Sequence, residues 1–189
     1  MKSFSRAGLA LILALFATTA TSALSTFSFT GTVTNDPFGL SSFGAPISGS
    51  YSFDPAAVDA IADPPSASYT STGAVFGFTA TVDGAPYAVS GNLNIGILNA
   101  SVDQYLVTAS NATLTLELFF EDATGTAFSS DALPLTPPAI ARFAFREFRL
   151  FGPDVEFEGT VDTLAIVPEP ATLLLLSAGL AGLALRRRT

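Results

Sequence analysis

The sequence predicts an all-β domain, an antiparallel β-sandwich of jelly-roll type, flanked by an N-terminal signal helix and a C-terminal hydrophobic helix. Three observations point there. Short segments alternate apolar and polar residues with period two, Gly/Pro/Asn/Asp turns separate them, and no stretch between the two ends carries a helical apolar stripe. A closed barrel carries the same alternation, and the pattern does not separate the two architectures.

Three segments follow one another along the 189 residues: 1–23, 24–166 and 167–189. In the first, Lys2 and Arg6 precede the apolar run 7–17 and then small residues, which is the build of a secretory signal peptide. Thr21/Ala23 and Ala20/Ser22 offer alternative cleavage sites, so the mature chain begins near Leu24.

The middle segment is expected to fold alone. Phe27, Phe29 and Val33 share one face of a first strand, and Ile47, Tyr51 and Phe53 share one face of a second. Residues 54–68 hold Pro55, Pro64 and Pro65 and read as a long loop with one helical turn near 56–62. Segments 74–82 and 86–97 flank Asp83-Gly84, a hairpin signal. Residues 104–108 form a shorter strand, and 112–120 place Leu114, Leu116, Leu118 and Phe120 inward before a turn at 122–125. In 141–151, Phe143 and Phe145 stand in one phase and Phe148 and Leu150 in the other, which predicts a bulge near Arg146 and Glu147. Val155, Phe157 and Val161 mark the inner face of the closing strand, for eight or nine strands in all.

Composition narrows the chemistry. The chain has no cysteine and no histidine, which removes thiol nucleophiles, Ser-His-Asp triads and the usual zinc ligands. Three arginines face fifteen carboxylates between 24 and 166, a net charge of −12, so nucleic acid is not an expected partner. Arg142, Arg146 and Arg149 are expected to serve local ion pairs or a small anionic-glycan site. Two carboxylates would suffice for a glycoside hydrolase, but no acid lies in a recognisable catalytic motif. Asp54, Asp59 and Asp63 share one loop and could hold calcium, although their spacing fits no EF-hand. Asn99-Ala100-Ser101 and Asn111-Ala112-Thr113 have the N-glycosylation pattern and read as turn sequences. No catalytic residue, metal ligand or cofactor is assigned.

The last segment is the most specific. Pro168, Glu169 and Pro170 form an extended hinge, because proline lacks an amide hydrogen and disfavours helix before it. Residues 171–185 carry no charge and as a helix would be about 22 Å long, short against a hydrocarbon core of about 30 Å. Arg186, Arg187 and Arg188 then mark the cytoplasmic side. Triplet, span and basic end in this order closely resemble the PEP-CTERM sorting signal of bacterial exported proteins. More loosely, residues 29–33 and 47–56 resemble the opening of PEP-CTERM cargo domains, whose activity is generally unknown. The resemblance implies export, transient anchoring in the membrane through the C-terminal helix, and processing by an exosortase at Pro168, Glu169 and Pro170 before delivery to the cell surface or extracellular matrix. The expectation is a structural or adhesive component rather than an enzyme, with extracellular polysaccharide as a candidate partner. The alternative is a carbohydrate-binding module or a two-carboxylate glycoside hydrolase.

Overall fold

The computed structural model describes residues 24–61 and 63–168; the signal helix and the hydrophobic C-terminal helix expected from the sequence lie outside them. Eight strands follow in order: β1 (Ser25–Asn35), β2 (Pro46–Phe53), β3 (Ser66–Val82), β4 (Ala85–Asn99), β5 (Asp103–Ser110), β6 (Thr115–Asp122), β7 (Phe145–Gly152) and β8 (Val155–Ile166). They close into one antiparallel barrel in which each strand pairs with its neighbour in sequence and β8 pairs back onto β1. This corrects the jelly-roll sandwich. A jelly roll needs strands that pair out of sequence order, and here the whole barrel is an up-and-down meander.

Two glycines make room where the barrel closes. Along the β1–β8 seam the register shifts between Thr30 and Gly31 and again between Val33 and Asn35. At this corner the strands approach so closely that a β-carbon on Gly31 would run into the Thr160 carbonyl, and one on Gly159 into the Ile47 side chain. Glycine at both positions lets the sheet bend back on itself.

Several local expectations also change. β3 begins at Ser66, well before the expected strand, because Asp59 bridges to Tyr69 and accepts the Ser68 amide hydrogen (2.8 Å), tying the preceding loop to the sheet. In place of a helical turn, the described part of 56–62 holds a turn and that bridge. No bulge interrupts β7, which pairs with β6 in unbroken register from Phe145 to Phe151. The two phases of phenylalanine arise because Phe143 precedes the strand, turned inward by a 3-10 turn (Ile140–Arg142), while Phe145 faces out. Among the described residues there is no α-helix. The Asp83-Gly84 hairpin forms as expected, with both residues at positive φ (49° and 84°).

The antiparallel order puts the two ends of the barrel to different uses. One end, the exit end, holds the starts of β1, β3, β5 and β7 and the finish of β8; it carries the loops 54–65, 100–102 and 123–144. The far end carries 36–45 and three short turns. Between them the interior is packed with side chains. Phe27, Phe29, Phe53, Phe78, Phe120, Phe148 and Phe157 are fully buried, and neighbouring rings meet edge to face, as Phe27 and Phe53 do at 5.2 Å. Tyr51 on β2 and Tyr105 on β5 meet across the barrel, hydroxyl to hydroxyl, at 2.9 Å. Burial raises both phenol pKa values, so the pair stays protonated and each hydroxyl has its partner.

Candidate functional site

At the exit end the connection 123–144 folds across the barrel mouth as a lid. Phe128 and Phe143 anchor it, their rings packed at a tilt against each other (5.7 Å) and against Tyr105 and Phe120. Three polar contacts fix its course. Asp103 accepts the Phe128 amide hydrogen (2.7 Å), Tyr69 donates to the Asp131 carbonyl (3.0 Å), and Arg142 donates to the Thr126 carbonyl (3.0 Å). Arg142 therefore braces the lid backbone instead of pairing with an acid in these contacts.

Asp103 and Asp122 oppose each other on β5 and β6, both buried under this lid. The sequence placed neither inside. Asp122 accepts the Thr124 hydroxyl and amide and the Thr126 amide, which hold its carboxyl well below the usual carboxylate range. Its first oxygen and its second are both occupied by the turn that follows it. The legible signal was the string Asp122-Ala123-Thr124-Gly125-Thr126, a side-chain-capped turn at a strand end.

The calcium candidates are used locally. Asp54 accepts from the Ala56 amide (2.8 Å) and Asp59 from the amides of Ile61 (3.0 Å) and Ser68. Asp63 lies exposed further along the loop, and among the described residues no three acids converge on a cation site. Asn111 caps the β5–β6 turn, accepting the amides of Thr113 and Leu114 (both 2.9 Å), as its reading as a turn residue requires.

The outer face of β6, β7 and β8 brings together residues that the sequence left scattered. Glu117, Arg149 and Glu158 stand side by side in the sheet register. Arg149 contacts Glu147 at 2.6 Å and Glu117 at 3.8 Å, and Glu158 accepts from Asn35 at 3.1 Å. Burial raises the pKa values of Glu117 and Glu147, while the Arg149 charge pulls both back down. Phe119 and Phe145 form an edge-to-face pair beside this group (5.8 Å), and Phe151 is exposed beyond it. Two depressions flank the cluster, one lined by Arg149, Phe151, Glu156 and Glu158, the other by Thr34, Phe145, Arg146, Glu147 and Thr160. The expected bulge hid this face. Taken in the phase of Phe148 and Leu150, β7 turns Phe145, Glu147, Arg149 and Phe151 outward together.

The sorting residues begin where the barrel ends. β8 pairs with β1 up to Ile166, the Val167 amide donates to the Thr26 carbonyl (2.9 Å), and Pro168 is exposed at the exit end. Glu169, Pro170, Arg186, Arg187 and Arg188 lie outside the described residues. Fold and terminus together define a β-barrel cargo that leaves its last strand straight into a C-terminal signal. Residues 167–188 match the PEP-CTERM protein-sorting motif, which indicates an exosortase substrate and implies export and transient anchoring in the membrane. Neither a curated protein nor a solved structure shows significant similarity to the chain.

Proposed function

We propose that the protein is a non-enzymatic structural or adhesive component of the cell surface or extracellular matrix, delivered there by its C-terminal signal. The observation that carries this reading is the filled barrel directly joined to a sorting motif. The interior is occupied by aromatic rings and closed at the exit end by the lid, and the inward acids Asp103 and Asp122 serve the lid and its turn. Function is then left to the outer surface and to many copies acting together, where weak contacts add up by avidity. Cells producing the chain without residues 168–189 test the delivery half of this reading. Loss of surface and matrix retention is expected; unchanged retention overturns it.

A second reading rests on the outer face of β6–β8. Glu117 and Glu147 share Arg149, have raised pKa values and lie beside exposed phenylalanine rings, a combination that fits carbohydrate binding or two-carboxylate hydrolysis. Hydrolysis of a polysaccharide that Glu117→Gln or Glu147→Gln abolishes, with the barrel still folded, favours this second reading over the first. Binding without turnover, weakened by Phe145→Ala, identifies a binding module.

A further inference from the structure

We propose that the exit end of the barrel seats on the outer surface of the bilayer while the tail holds the protein there, with exposed apolar side chains of the rim touching zwitterionic lipid. This rests on the anchoring implied by the sorting motif. The tether sets the geometry. Pro168 is still at the rim, the uncharged run starts at Ala171, and three extended residues span only about 10 Å. A barrel on so short a leash presents one end to the membrane and the other away from it.

The rim at that end carries several exposed apolar side chains. Val58 is 83% exposed and Leu135 55%, and Ile61, Ile166, Val167 and Leu24 also stand in solvent. Tyr69 links the two loops involved, because its strand bridges to Asp59 while its hydroxyl donates to the Asp131 carbonyl. Val58 and Leu135 are therefore carried on joined supports. Leu24, Ile166 and Val167 belong to the adjoining ends of β1 and β8. Both ends hold apolar side chains in water, and the tether brings those of the exit end to the bilayer. Charge selects the lipid: a domain of net charge −12 is repelled by an anionic surface at low salt, whereas a zwitterionic one admits it.

The chain contains no tryptophan, so one introduced residue reports without background. The mature chain, residues 24–189 with the sorting tail intact, is prepared as Val58→Trp, Leu135→Trp and, at the far end, Phe43→Trp, and each is mixed with phosphatidylcholine vesicles containing brominated acyl chains. Co-sedimentation with the vesicles measures anchoring separately from orientation. The expected result is a blue-shifted emission, largely quenched, for Val58→Trp and Leu135→Trp, with the Phe43→Trp emission unchanged. Anchored protein whose exit-end reporters stay in water overturns the seating while leaving anchoring intact. Equal quenching at both ends also overturns it. Protein that fails to co-sediment refutes the anchoring on which the seating depends, and the seating with it.

Discussion

The two ends of the barrel solve the same problem, that of closing a tube of strands, by different means. At the exit end a long connection is folded over the mouth, and its phenylalanines become part of the core. At the far end the loop 36–45 does the opposite. Asp36 accepts the amides of Phe38 (3.1 Å), Gly39 (2.9 Å) and Ser41, Gly39 and Gly44 take positive φ, and the loop holds Phe38, Leu40 and Phe43 in solvent. Similar side chains are core at one end and surface at the other. What separates them is whether the loop is long enough to return across the barrel axis.

The sharpest way to break that comparison is to truncate one ring at each end. Phe143→Ala removes a buried ring from the lid and is expected to cost about 3–5 kcal/mol of unfolding free energy, as large-to-small core changes do. Phe43 is 84% exposed, and Phe43→Ala is expected to stay within about 0.5 kcal/mol. Urea unfolding of the two variants measures both. Similar losses at the two ends would mean that the lid is not part of the cooperative core.

A smaller contrast sets two aspartates performing one task against each other. Asp36 and Asp122 each cap the turn that follows them, but Asp36 does so in an open loop and Asp122 while buried. Asp36→Ala is expected to cost about 1 kcal/mol, in the range of a lost side-chain cap, because water reaches the freed amides. Asp122→Ala removes a buried carboxylate that accepts four hydrogen bonds from Thr124 and Thr126 and holds the start of the lid, so its melting temperature should fall further. Hydrogen exchange should speed up over 122–128 in Asp122→Ala and over 36–45 in Asp36→Ala, each with little change at the opposite end. Exchange that rises at both ends in either variant would show that the ends are coupled.

The contrast between the ends also marks what could be read from sequence. Alternation identified the inner faces, and Phe27, Tyr51, Leu118 and Phe157 are buried as that pattern demands. The Asp83-Gly84 turn was legible because its chemistry is local. Closure was not, since it depends on where β8 finds β1, some 130 residues away, and alternation is the same in a sandwich and a barrel. The lid escaped for a related reason: 123–144 is irregular, and only its tertiary contacts turn Phe128 and Phe143 inward. On the outer face, Glu117 could be placed from its own strand. Its neighbours Glu147, Arg149 and Glu158 are set by the pairing of β6, β7 and β8, which no single segment encodes.

The smallest expected effect is a pH dependence that pits the outer face against the exit end. Glu117 and Glu147 have native pKa values raised by burial, so the folded protein takes up their protons more readily than the unfolded chain. Stability should therefore rise as the pH falls from neutral through those native values, and the gain should be complete near the ordinary glutamate value of 4.5. Asp122 acts in the other direction. Its hydrogen bonds to Thr124 and Thr126 lower its native value, so its contribution is present above the ordinary aspartate value of 3.8 and is lost as the pH falls towards the native one. The melting temperature should accordingly climb on mild acidification and drop in strong acid. Relief of the domain's negative self-repulsion adds to the climb, so the wild-type curve alone does not isolate the cluster. The difference between wild type and Glu147→Gln does, because the substitution removes one titrating group and leaves most of the net charge in place. The variant should show a shallower climb and an unaltered acid limb. A climb as steep as the wild type's would mean that Glu147 titrates like a solvated carboxylate and is not suited to acid chemistry.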